Sequence, residues 1–121
     1  MALFESGEMY LETILILSRR GGIVRAIDVS EEMNFSKPSV SRALGKLKAE
    51  GYLTVGRDGD IQFTGQGRAV AEKIYERHNV LSEYLTGIGV DPDIAKEDAC
   101  RIEHVISDAS FAAIKRLVNG K

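Results

Sequence analysis

A mainly α-helical chain, with a winged helix-turn-helix first and a helical lobe after it, is predicted from three observations. Apolar residues recur at helical spacing in six separate stretches of the 121 residues. One hairpin signal, Asp58-Gly59, follows the third of them. The third stretch, "SKPSVSRALGKLKAEG", carries its own start and stop marks. Helix, helix, helix, hairpin, then helices is the winged-helix order. The domains are expected at 1–70 and 71–121.

The elements follow in order. "EMYLETILILSRR" has strong helix formers, with Tyr10, Ile14 and Leu17 on one face, and "RGG" at 20–22 stops it. "AIDVSEEMNF" reads as a short second helix. Ile27 offers its first amides no cap, but Asp28 suits the positive end of the helix. In the third helix Ser36 caps, Pro38 falls in the first turn where its missing N–H costs nothing, and Gly51 stops the helix. Val40, Leu44 and Leu47 form its buried stripe. Strands Tyr52–Val55 and Ile61–Thr64 flank the turn "RDGD". Thr64 then caps one long helix carrying Val70, Ile74, Leu81 and Leu85 and ended by Gly87 and Gly89. A fifth helix restarts at Pro92 and runs through "ACRIEHVIS", and "DASFAAIKRLVN" forms a last amphipathic one.

Charge is unevenly spread. The net charge is −2, but residues 34–57 hold Lys37, Arg42, Lys46, Lys48 and Arg57 against Glu50. Residues 89–108 are acidic, with Asp91, Asp93, Glu97, Asp98, Glu103 and Asp108. One lobe suits a polyanion and the other suits cations. A helix that enters a major groove needs small or polar side chains at its start and basic groups along its flanks. Ser36, Lys37, Pro38, Ser39, Ser41 and Arg42 meet the first need, and Lys46 and Lys48 the second. Arg42 is the candidate for a bidentate contact with guanine, and the lysines are candidates for phosphate. Arg57 at the hairpin turn and Arg25 before the second helix are further phosphate candidates. Taken singly, each charge reads equally well as a solvated helix face.

The chain has one cysteine and two histidines. Cys100, Glu103 and His104 fall on adjacent turns of the predicted fifth helix, off the stripe of Ala95, Ala99, Ile102 and Ile106. Thiolate, carboxylate and imidazole together suit a transition metal rather than Ca²⁺ or Mg²⁺. Met9 is a soft donor with Glu12 one turn on, and His78 is a further candidate. Alone, each has an ordinary structural reading. A lone cysteine forms no intrachain disulfide, which points to a reducing compartment. No apolar run approaches a membrane span, and "MALFESGEMYLE" lacks the pattern of a signal peptide, so a cytoplasmic protein is expected.

Six segments together resemble the diphtheria toxin repressor family of metal-activated transcriptional repressors, which includes the iron-dependent regulators and the manganese transport regulator. They are "EMYLETI" (8–14), "SKPSVSRALGKLKAEGYL" (36–53), "FTGQGRAVA" (63–71), "RHNVL" (77–81), "GVD" (89–91) and "DACRIEHVISD" (98–108). They reach across almost the whole chain. The resemblance implies a homodimer that binds double-stranded, palindromic operator DNA when loaded with Fe²⁺ or Mn²⁺ as corepressor. One or two ions per subunit are implied, with Co²⁺, Ni²⁺ or Zn²⁺ as substitutes. It assigns Met9, Cys100, Glu103 and His104 to a primary site of the iron type. The manganese type has oxygen ligands where Met9 and Cys100 stand. The iron-type second site keeps only His78 here, because Ser82 and Lys96 stand where it has ligands. The manganese-type second site uses the positions of Glu12 and His78, and both are present. The sequence stops at Lys121, which implies the short form without the SH3-like third domain. The Phe111–Val118 face and the apolar side of the first helix are the expected dimer surfaces.

The rival reading is a winged-helix regulator that senses redox state or a small ligand, with Cys100 as core or sensor. No motif for a general base or substrate pocket supports an enzyme. A helical interaction module without DNA binding is the third reading.

Overall fold

The computed structural model describes residues 5–120, so only the first four residues of the stretch read above for a leader lie outside it. Among the described residues there are six helices and one two-stranded sheet: α1 (Glu5–Arg19), α2 (Ala26–Met33), α3 (Lys37–Ala49), β1 (Leu53–Val55), β2 (Ile61–Phe63), α4 (Gly65–Gly87), α5 (Pro92–Ile102) and α6 (Asp108–Asn119). The chain divides into two compact units between Glu72 and Lys73, inside α4. No described helix is long and apolar enough to cross a membrane.

In the first unit α1 buries Tyr10, Leu11, Ile14 and Leu15, one face of a 3.6-residue repeat. α2 starts without a capping hydroxyl, as its sequence predicts. Instead the Asp28 carboxylate accepts from the backbone N–H of Arg25 at 2.9 Å. The helix ends on Asn34 in the left-handed region (φ 58°), a conformation asparagine tolerates. The buried Ser30 hydroxyl donates to the Phe35 carbonyl at 2.6 Å, and the Phe35 N–H donates back to the Ser30 carbonyl at 3.2 Å. That pair closes the turn between α2 and α3.

α3 begins as read: Ser36 Oγ accepts from the Ser39 N–H, Pro38 sits in the first turn, and Val40, Leu44 and Leu47 are buried. It ends on Gly51 (φ 88°), with the Tyr52 N–H reaching the Leu47 carbonyl at 2.9 Å and the Gly51 N–H the Lys48 carbonyl at 3.1 Å. This is the bond pair of a Schellman stop. The strands pair antiparallel, Leu53 opposite Phe63 and Val55 opposite Ile61. Each is one residue shorter than the sequence suggests. The Tyr52 N–H is already used in stopping α3, and Thr64 is used in starting α4, where its Oγ1 accepts from the Gly67 N–H at 3.1 Å.

In the second unit Leu81 of α4, Ala99 of α5 and Phe111 of α6 form the buried cluster, with Val80, Ile102, Ile106 and Ile114 packed against it. Asp91 caps α5 and Ser107 caps α6. Phe111 is therefore committed inside its own unit, and Val118 is also buried. The expectation that Phe111 and Val118 face a partner is corrected accordingly; of that stretch Leu117 is exposed, and Ile88, Ile94 and Val105 are the other exposed large apolar residues described in this unit.

Candidate metal centre and nucleic-acid face

The helix read through "ACRIEHVIS" stops at Ile102. Glu103 is its C-cap and His104 lies in the turn that follows. Arg77 on α4 holds this turn: its Nη1 donates to the carbonyls of Glu103 (3.2 Å) and Ile106 (2.8 Å). Ser107 then opens α6, accepting from the Ser110 N–H at 3.1 Å.

This turn carries the fully buried Glu103 side chain to α4. Its Oε1 lies 2.9 Å from His78 Nδ1, and Cys100 Sγ lies 3.9 Å from the same nitrogen. His78, Cys100 and Glu103 each offer a ligand atom, all within 4.8 Å of one another. His104 Nε2 lies 3.4 Å from Glu103 Oε2, and its side chain is almost wholly buried. Cys100 is exposed and free. Met9 and Glu12 lie a turn apart on α1 in the first unit, Met9 with 38% exposure and Glu12 buried.

The donor set fits a transition metal. Glu103 Oε2 is buried without a hydrogen-bond partner among the described residues, an expensive arrangement for a carboxylate unless a cation completes it. Around a tetrahedral ion with metal–ligand bonds of 2.0–2.3 Å, neighbouring ligand atoms sit roughly 3.5 Å apart. The 2.9 and 3.9 Å separations bracket that value. The hydrogen bonds to Cys100 first, then Glu103, push His78 up to about 10, against a smaller opposing effect of burial.

The sign for stability follows. With the folded value above the ordinary 6.5, the stabilising contribution of His78 is complete below about pH 6.5 and is lost as pH rises through about 10. A metal must displace that proton. Uptake of Co²⁺ at pH 7 in weak buffer is therefore expected to release protons, His78→Ala releasing about one fewer per ion than the native chain. A pH electrode in a stopped titration measures this, and equal release from the two would remove His78 from the site.

On the first unit, Ser36, Lys37, Pro38, Ser41, Arg42, Lys46 and Lys48 of α3 and its cap are exposed, Ser39 is half-buried, and Arg57 is exposed in the hairpin turn. Arg42 Nη2 donates to Ser39 Oγ at 3.4 Å. Arg25 has a second engagement that the sequence did not suggest. Its Nε donates to the Asp58 carbonyl at 2.9 Å, bracing the hairpin tip against the start of α2.

The comparisons with known proteins agree with this division of labour. A family model described as "Iron dependent repressor, N-terminal DNA binding domain" matches residues 2–60, and "Iron dependent repressor, metal binding and dimerisation domain" matches residues 64–120. The transcriptional regulator MntR of Escherichia coli O157:H7 is 30% identical over 88% of this chain and 68% of its own length. The chain belongs to the iron-dependent repressor family. Another member, the diphtheria toxin repressor of Corynebacterium diphtheriae, is 34% identical over 88% of this chain and 47% of its own length. The chain thus spans about half the length of the diphtheria toxin repressors it matches. The solved structure of the manganese regulator SloR superimposes with a TM-score of 0.84 at 26% identity, over 95% of this chain and 54% of that one. The family supplies the winged helix followed by helices that the sequence predicted, and it is a family of DNA-binding regulators rather than enzymes.

Sequence reading passed over Arg77 as a working residue. The signal was present: Ile74, Arg77 and Leu81 follow one helical stripe, so an arginine stands at an apolar register position.

Proposed function

We propose that the protein is a metal-responsive transcriptional repressor, a homodimer that binds palindromic operator DNA when loaded with Fe²⁺ or Mn²⁺ and so controls metal-homeostasis genes. The observation that carries the reading is the buried Glu103 carboxylate, with one oxygen on His78, the other 3.4 Å from His104 Nε2 and without a hydrogen-bond partner among the described residues, and Cys100 alongside. Cys100, Glu103 and His104, with Met9, form the proposed primary ligands. Glu12 and His78 serve a second ion, and the closeness of His78 to Cys100 and Glu103 supports putting that ion beside the first. A bound ion supplies a fixed positive centre that satisfies the buried carboxylate and draws the ligands together. Thiolate and thioether favour Fe²⁺ over Mn²⁺, whereas affinity alone favours Zn²⁺, so supply and geometry decide the ion in the cell. Co²⁺ and Ni²⁺ are further substitutes. The metal-bound state regulates only if metal binds the DNA-competent conformation more tightly than the other.

Residues 1–70 read DNA and residues 71–121 hold metal and the dimer contact. Val105 and Leu117, exposed at 74% and 60%, are among the apolar side chains available to a second copy, with Ile88 and Ile94. Ser36, Lys37, Pro38, Ser39, Ser41 and Arg42 meet base edges and nearby phosphates, and Arg25, Lys46 and Arg57 meet phosphate. Arg42→Ala is expected to weaken specific operator binding by about 1–3 kcal/mol with little change on random duplex. Lys46→Ala should weaken both and lower the salt slope by about one. Fluorescence anisotropy at several salt concentrations measures both effects.

The deciding experiment selects duplexes from a random pool with anaerobic, reduced protein, with and without Fe²⁺ or Mn²⁺. Enrichment of a two-fold symmetric site in the metal-loaded arms alone is expected. Equal enrichment without metal overturns the metal reading, and no enrichment in any arm overturns the repressor reading.

A further inference from the structure

Arg77 has the side-chain contacts of a working part. Only 7% of the side chain is exposed. Besides the Glu103 and Ile106 carbonyls, its guanidinium engages the Asp108 carboxylate through Nη2 and lies 5.4 Å from the centre of the Phe111 ring. Its Nε is buried without a partner. Desolvating a guanidinium is costly, and a buried one left partly unsatisfied is an inefficient way to hold three helices together.

The arrangement makes sense from the side of the metal ligands. The two carbonyls that Arg77 grips are those of Glu103 and Ile106, which bracket His104. Arg77 and His78 are consecutive on α4, and both serve the same short turn. Arg77 holds its backbone, and His78 meets the carboxylate it presents. Without that grip the Glu103 and Ile106 carbonyls lose their side-chain donor, the 103–106 turn is free to shift, and the Glu103 carboxylate is no longer fixed against His78.

We propose that Arg77 is a positioning residue that fixes the 103–106 turn and so presets Glu103 for metal. The inference rests on the metal reading above. Groups that orient metal ligands in other proteins change metal affinity by about 10–100-fold when removed. The same range is expected for Arg77, through backbone rather than side-chain contacts.

The test uses the full chain, anaerobic and reduced, with Co²⁺ as probe. Affinity and the ligand-field spectrum are compared for native protein, Arg77→Met, Arg77→Lys, Asp108→Asn and Leu81→Ala. Arg77→Lys keeps the charge but cannot span two carbonyls and a carboxylate, so it serves if Arg77→Met fails to fold. Arg77→Lys is expected to bind Co²⁺ about 10–100-fold more weakly with a shifted spectrum. Asp108→Asn and Leu81→Ala leave the grip on the turn intact and should keep native affinity and spectrum, even though Leu81→Ala lowers stability. Native Co²⁺ binding by Arg77→Lys overturns the proposal. So does an equal loss in Leu81→Ala, because the effect would then be one of general stability. Native protein that takes up no Co²⁺ instead overturns the metal reading on which the proposal stands.

Discussion

Gly67→Ala is expected to destabilise the winged-helix unit by on the order of 3 kcal/mol, although alanine is the better helix former. A Cβ at residue 67 would stand 1.9 Å from the Tyr52 carbonyl oxygen and 2.8 Å from its carbon. Both are backbone atoms, so no side-chain rotation relieves the contact. The Tyr52 carbonyl also accepts from the Thr64 N–H at 3.2 Å, and the Tyr52 N–H completes the stop of α3. Moving residue 52 therefore disturbs the recognition helix and the hairpin together. Against this, the helix-propensity gain from glycine to alanine is about 1 kcal/mol at most. Gly65→Ala is the control, since its Cβ would meet nothing within 4 Å. Urea melts of the two variants should separate clearly, with Gly65→Ala near the native midpoint. Coincident melts would mean that the close approach of α4 to Tyr52 does not exist in solution.

The same region shows what was legible in the sequence. Caps, stops and stripes are local signals, and Ser36, Pro38, Gly51 and the Val40/Leu44/Leu47 stripe specify α3 within a single stretch. Asp58-Gly59 does the same for the hairpin, where Gly59 takes φ 83°. What failed to read were outcomes decided at a distance. The turn after α5 is held by Arg77, 26 residues before Glu103 in the chain. An apolar stripe on α6 announces burial but not the burying surface, so Phe111 read as a dimer contact although Leu81 and Ala99 cover it. The ligand types were legible because cysteine and histidine are scarce here. The grouping of His78 with Cys100 and Glu103 was not, because it depends on how α4 and α5 pack within their unit.

Glu103→Gln is expected to remove most metal-linked stabilisation while changing the stability measured without added metal only slightly. The two effects have one origin. The carboxylate is wholly buried, with Oε1 on His78 and Oε2 without a hydrogen-bond partner among the described residues, 3.4 Å from His104 Nε2. A buried ionised group in that state opposes folding, and a neutral amide of the same shape carries a smaller desolvation cost. The amide also loses one of the groups that hold His78 protonated, the Cys100 hydrogen bond being the larger cause. The first change favours the fold and the second gives up part of the His78 contribution, so the two oppose and the baseline is expected to move little. The metal-bound state depends on the Glu103 charge. An ion present at a thousand times its dissociation constant stabilises the native state by about 4 kcal/mol, and a hundredfold weaker site leaves about 1.4 kcal/mol. Thermal or urea melts with and without Co²⁺ measure the difference directly. Native protein should show a large metal-induced shift and Glu103→Gln a small one, from a baseline close to native. A full metal-induced shift in Glu103→Gln would show that the ion binds elsewhere. A collapse of the metal-free protein would show that the carboxylate is a structural group, with its cost met by contacts other than a metal. If the predicted pattern holds, the buried charge of Glu103 acts chiefly through the ion, and occupancy by metal changes the energy of the fold.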